Sequence, residues 1–152
     1  MTLYHFTARE NLQSILKHGL LCIPVLEKSK IKYKPNSNEI SRQMDKSRGL
    51  ENYVRLCKSK EHPMKKLVQH ERRVDDIVWL KVSEIVIDYP KTLFCETNAN
   101  KSGVKPSREK NVFLNSIDNQ AEVLVFQQVP NRFIEISNDE PSTVDILDEV
   151  PF

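Results

Sequence analysis

The stretch Gln120-Ala121-Glu122-Val123-Leu124-Val125-Phe126 sets one carboxylate at the head of an apolar run. A short apolar run of this kind has the length of a buried β-strand. A carboxylate at its start either reaches solvent at the end of the sheet or is buried and partnered. The second arrangement is how a sheet presents an acid to a cleft.

Other runs join it. Ile77-Val78-Trp79-Leu80-Lys81-Val82 reads as a second buried strand, and Thr92 to Cys95 as a shorter one. Tyr53 to Cys57 has strand character, and Phe133 to Ile136 suits an edge. Leu3-Tyr4-His5-Phe6 alternates as a half-buried strand does. Thr7-Ala8-Arg9-Glu10 then fits a capping box. It predicts a helix whose apolar face is Ala8, Leu12, Ile15 and Leu16, with His18 in the last turn and Gly19 as C-cap. Leu20 to Ile23 reads as a strand ended by Pro24. Glu39 to Lys46 has the pattern of a short helix, and Pro63 opens another carrying Met64, Leu67 and Val68. Residues 98 to 110 read as loop. Many short strands with a few short helices predict an α+β domain.

The 152 residues are 39% hydrophobic and 29% charged, which suits one domain with its own core. We assign residues 1–137 to that domain and 138–152 to an acidic tail. No stretch approaches the ~20 apolar residues of a membrane-spanning helix, and no secretion signal opens the chain. Cys22, Cys57 and Cys95 are odd in number and widely spaced, which predicts a reducing cytoplasm rather than a disulfide framework. Charge is segregated. Residues 28 to 73 hold 14 basic and 5 acidic side chains, whereas residues 133 to 152 hold six acids and no lysine or arginine. A basic body of that size attracts polyanions such as nucleic acid, although a lysine-rich surface alone is also common.

Familiar signatures are missing. Three glycines cannot build a G-x-x-x-x-G-K loop or a G-x-G-x-x-G turn. No H-E-x-x-H and no G-x-S-x-G occurs. What stands out is polar groups at the ends of apolar strands. His5 and Thr7 share one side of their strand, since side chains repeat every second residue. Taken alone, Thr7 is a helix cap and His5 a satisfied strand histidine.

Together these residues resemble the DarT-type nucleic-acid ADP-ribosyltransferases. Leu3-Tyr4-His5-Phe6-Thr7, then Asn11-Leu12 and Ile15-Leu16-x-x-Gly19-Leu20, is similar to that family's opening His-x-Thr strand and helix. Glu39-Ile40-Ser41-Arg42 resembles its segment with a functional arginine. Gly49-Leu50-x-x-Tyr53-Val54 and Lys60-x-His62-Pro63-Met64 follow in the same order, as does Phe94-Cys95-Glu96-Thr97-Asn98-Ala99. Asn119-Gln120-Ala121-Glu122-Val123-Leu124-Val125 resembles the family's R-Q-A-E-F-L-V strand. Two departures are plain. Asn119 stands where the family usually has arginine, and Tyr53-Val54-Arg55-Leu56-Cys57 replaces a more aromatic strand.

The resemblance implies a split β-sheet around an NAD cleft and transfer of ADP-ribose from NAD, as co-substrate, to a base of nucleic acid. Single-stranded DNA is favoured and RNA is the alternative. It also implies a toxin of a toxin–antitoxin or phage-defence system, with an antitoxin protein as partner. An inactive nucleic-acid-binding module of the same fold is the rival reading. Glu122 is then the catalytic carboxylate, stabilising an oxocarbenium-like ribose through its 2′-hydroxyl. Arg42 is the functional arginine, with Arg48 next in line. His5, Thr7, Asn11 and Tyr33 fall to NAD binding, and Tyr33 or Tyr53 is placed to stack a base. The reaction calls for no metal, because the leaving group departs neutral from a cationic ring.

Overall fold

A computed structural model describes residues 1–35, 43, 45–60 and 76–137. Among them, eight strands form a large antiparallel sheet with a two-stranded companion, joined by short helices. The strands are β1 (Thr2–Ala8), β2 (Leu20–Leu21), β3 (Tyr53–Cys57), β4 (Ile77–Ser83), β5 (Leu93–Cys95), β6 (Glu122–Phe126), β7 (Gln128–Val129) and β8 (Ile134–Ile136). The helices are α1 (Leu12–His18), α2 (Ile23–Lys28) and α3 (Asn111–Leu114).

The large sheet has the order β5-β6-β3-β1-β4-β8, and β2 pairs with β7. β6 lies inside the sheet, paired to β3 from Phe126 opposite Tyr53 to Glu122 opposite Cys57, and to β5 on its other side. That explains its unbroken apolar run: a strand covered on both faces needs no polar alternation. Leu3, Leu56, Leu80, Val82, Val123 and Val125 cover one face with Ile15 of α1 and Phe113 of α3. On the other face Trp79, 1% exposed, meets Phe6 edge-on at 5.4 Å between ring centres.

β1 and β4 pair along their whole length, from Thr2 opposite Ser83 to Ala8 opposite Ile77. β1 and β3 meet at one register pair only, Tyr4 opposite Cys57. The sheet therefore opens between β1 and β3 beyond Tyr4, as a split sheet requires.

Several local expectations are corrected. Thr7 forms no capping box. It lies within β1, α1 starts at Leu12, and neither the 3-10 turn Arg9–Asn11 nor α1 has a side-chain cap. The hydroxyl of Thr7 instead accepts a hydrogen bond from Asn11 Nδ2 at 3.1 Å. Ala8 belongs to the strand, and Leu16 is 47% exposed, so of the expected face only Leu12 and Ile15 pack inward. Pro24 does not end a strand. β2 stops at Leu21, and Pro24 occupies the first turn of α2, where its missing N–H costs nothing. Gly19 is the C-cap as expected, at φ 84°, with its N–H on the Ile15 carbonyl. Residues 45–47 are helical, as the reading of Glu39–Lys46 required there, while Arg42 and the rest of its quoted segment lie outside the described residues. The Pro63 helix and the acidic tail lie outside them too.

Candidate active site

The opening between β1 and β3 is a cavity of about 520 Å³. Small-molecule sites commonly span about 300–1,000 Å³. His5, Thr7, Asn11, Tyr33 and Glu122 all line it, so five of the six residues singled out from the sequence converge there. Register explains how they do so from two sides. Tyr4, Cys57 and Glu122 are cross-strand neighbours and share one face, so alternation sends His5 and Thr7 to the other. Both faces reach one cleft because the sheet is split between them.

Glu122 opens β6 and is 4% exposed. Its burial is compensated by Arg55 of β3. Arg55 Nη2 donates to Glu122 Oε1 at 2.6 Å and Nε donates to Oε2 at 3.2 Å. The Ala99 amide adds a bond to Oε1 at 2.8 Å. Arg55 is gripped on its outer edge as well: Nη1 donates to Asp45 Oδ1 at 3.3 Å and Asn100 Oδ1 at 3.0 Å, and Nη2 to Asn98 Oδ1 at 3.0 Å. Burial works against the guanidinium charge, but the Glu122 and Asp45 carboxylates outweigh it and hold Arg55 above the usual arginine range. Burial pushes the Asp45 carboxyl up, and Arg55 pulls it back only in part.

His5 is held across the split. Its Nδ1 lies 2.9 Å from the carbonyl oxygen of Arg55. A carbonyl only accepts, so Nδ1 carries the proton and Nε2 is the acceptor nitrogen. Burial lowers the His5 pKa against the opposing effect of that bond, which keeps the imidazole neutral. Asn11 is occupied with the backbone: Oδ1 accepts from the Lys34 amide at 2.8 Å, and Nδ2 donates to the Lys34 carbonyl at 2.9 Å. It thus fixes the wall formed by Lys32, Tyr33 and Lys34. Tyr33 Oη reaches Glu27 Oε1 at 3.5 Å.

Glu122 is bracketed by two thiols, Cys57 and Cys95, its cross-strand partners on either side. Burial, reinforced by the Glu122 charge, raises Cys57 to about 12 and Cys95 to about 11. Neither is a thiolate near neutrality, so neither is a nucleophile. All three cysteines are free.

Arg55, Asp45, Asn98 and Asn100 were not singled out from the sequence. The only signal was that Arg55 interrupts a strand expected to be aromatic. Arg48, next in line to Arg42, donates to the Ala99 carbonyl at 2.6 Å and so supports the residue whose amide holds Glu122.

Comparison with known proteins completes the picture. A family model described as "ssDNA thymidine ADP-ribosyltransferase, DarT" matches residues 4–142. No curated protein sequence was found to match. The fold is similar to that of Thermosipho africanus DarTG in complex with ADP-ribose, with a TM-score of 0.77 and 23% identity, covering 91% of this chain and 44% of that one. The chain thus spans less than half of that protein. It is also similar to Thermus sp. 2.9 DarT in complex with ADP-ribosylated ssDNA, with a TM-score of 0.67 and 16% identity, covering 99% of this chain and 87% of that one. The same Thermus protein in complex with NAD+ gives a TM-score of 0.62 and 17% identity over 99% and 89%. The match over residues 4–142 covers most of the chain, the antiparallel sheet agrees with it, and the chain belongs to the DarT family, the ssDNA thymidine ADP-ribosyltransferases.

Proposed function

We propose that this chain transfers ADP-ribose from NAD to a thymine base of single-stranded DNA. The observation that carries this reading is Glu122, buried in the lining of the cleft, in a strand that resembles the family's Q-A-E strand. The cleft suits the co-substrate in size, and polar groups set in its mainly apolar lining suit a dinucleotide. The buried, neutral His5 and the hydroxyl of Thr7 supply hydrogen bonds for ribose or carboxamide groups, and Lys32 brings positive charge for the pyrophosphate.

Bound NAD supplies the ADP-ribosyl group and a neutral leaving group. The bond from the ribose to nicotinamide breaks, a bond from the same carbon to a base nitrogen forms, and the proton of that nitrogen passes to water. Glu122 accepts a hydrogen bond from the ribose 2′-hydroxyl, which strengthens as positive charge grows on the ring. His5 and Thr7 hold the substrate so that the reacting carbon faces the base. Arg42 is assigned to the pyrophosphate or the base by family resemblance alone. The basic stretch from Lys28 to Arg73 contacts backbone phosphates.

We further propose a toxin role with an antitoxin protein as partner, supported by the likeness to a chain of a DarTG protein. We place the protein in the cytoplasm, because its three free cysteines suit a reducing compartment. Among the described residues no helix is long and apolar enough to cross a membrane. The test is incubation of the full chain with labelled NAD and separate pools of single-stranded DNA, RNA and protein. Label on thymine-containing DNA supports the reading. Label confined to RNA or protein overturns the substrate, and no label in any pool overturns the activity.

A further inference from the structure

Glu122 does not stand alone in the cleft, and its neighbour lies in a strand that departs from the family's pattern. Arg55 sits where the family's strand is more aromatic, yet its guanidinium engages both oxygens of Glu122. The same guanidinium reaches Asp45 and the 98–100 turn. Five hydrogen bonds to four side chains fix a long, flexible residue in a single pose. The side chains of Arg55, Asp45 and Glu122 are 19%, 18% and 6% exposed, so water screens the group poorly.

A cation beside the catalytic carboxylate should oppose the positive charge that develops on the ribose. Asp45 resolves the conflict. Two carboxylates face one guanidinium, so the inner cluster keeps a formal charge of −1 while Glu122 is held in both position and plane. Arg48 lies on the outside, exposed and bonded to the Ala99 carbonyl.

We propose that Asp45, Arg55 and Glu122 act as one charged triad, in which Arg55 aims the Glu122 carboxylate at the ribose and Asp45 restores the negative charge that Arg55 cancels. Arg55 and Asp45 are positioning residues, and Glu122 alone touches the reacting sugar. The inference rests on the ADP-ribosyl transfer proposed above.

The test uses the full chain with NAD and a thymine-containing single-stranded oligonucleotide. Arg55→Met should lower kcat about 100-fold, the order expected when a reacting group is misplaced by about 1 Å. Asp45→Asn should lower kcat roughly 10-fold, one favourable charge being lost. In both, KM for NAD should change less than about threefold, because binding groups stay in place. Arg55→Lys should recover part of the rate, and guanidinium ion should revive Arg55→Ala. A second readout needs no activity. Arg55→Met should melt about 10 °C lower, since two carboxylates lose their partner, and adding Glu122→Gln and Asp45→Asn should restore much of that loss.

An active wild type with unchanged kcat in Arg55→Met and Asp45→Asn would overturn the triad alone. Equal losses in kcat and in NAD affinity, without guanidinium rescue, would also overturn it. A wild type that transfers nothing overturns the functional reading and the triad with it.

Discussion

Replacing Glu122 by glutamine tests the structure more severely than its similar shape suggests. The side chain would enter a pocket in which Arg55 and Ala99 present donors. Oε1 receives two N–H groups, from Arg55 Nη2 and Ala99, and Oε2 receives Arg55 Nε–H. The amide oxygen will take the two-donor position, leaving the NH2 group against Arg55 Nε at 3.2 Å, donor facing donor. One charge-assisted bond is lost and the others become weaker, while Arg55 keeps Asp45 as a counter-charge. Breaking a buried ion pair from one side costs roughly 3–5 kcal/mol. The partner Asp45 places the expected loss at the low end, about 3 kcal/mol. For a chain of this size that corresponds to a melting temperature lower by about 10 °C. Transfer of ADP-ribose should fall by about 100-fold or more, because one transition-state contact loses its full charge. Thermal unfolding and labelled-NAD turnover of the same preparation check both numbers. Wild-type melting together with wild-type turnover would refute the reasoning about Glu122 and its donors.

Other consequences follow from single features. Gly19→Ala should destabilise the domain by about 2 kcal/mol or more in denaturant titration, because φ is 84° and the new Cβ would collide with the Val129 carbonyl oxygen. Asn11→Ala removes both bonds that anchor Lys34, and should raise KM for NAD while changing kcat less. Cys57 and Cys95 have folded-state pKa values of about 12 and about 11 against an unfolded 9.0. Their contribution is therefore complete below pH 9 and is lost as pH rises through those values, by about 1.4 kcal/mol per pH unit for each thiol. Denaturant titrations between pH 9 and 11 should show the steeper fall, and Cys57→Ala should flatten it.

Much of the architecture was legible in the sequence, for reasons that differ by element. β6 was legible because a strand covered on both faces must be apolar throughout, and β1 because its alternation ran into a helical pattern. Gly19 was legible because few other residues take a positive φ at a helix end. The capping box misled because Thr7 and Glu10 have the right spacing, while pairing with β4 extends β1 through Ala8 and delays the helix to Leu12. Pro24 misled in the same way, since proline ends a strand and opens a helix with equal ease. Glu122 was legible as a conflict between charge and position. Its partner was not, because nothing in Tyr53-Val54-Arg55-Leu56-Cys57 says that Arg55 lies beside a carboxylate 67 residues away. Asn98 and Asn100 follow β5 and reach Arg55 through the pairing of β5, β6 and β3, whereas Asp45 comes from ten residues before it.

The most direct test of the account is mass spectrometry of single-stranded oligonucleotides after incubation with the chain and NAD. One oligonucleotide contains a single thymine, and a matched one has that thymine replaced by cytosine. One added ADP-ribose is expected on the first and none on the second, and with Glu122→Gln in place of the wild type the addition should be slower by about 100-fold or more. Addition to both oligonucleotides, or undiminished addition by Glu122→Gln, would contradict the account.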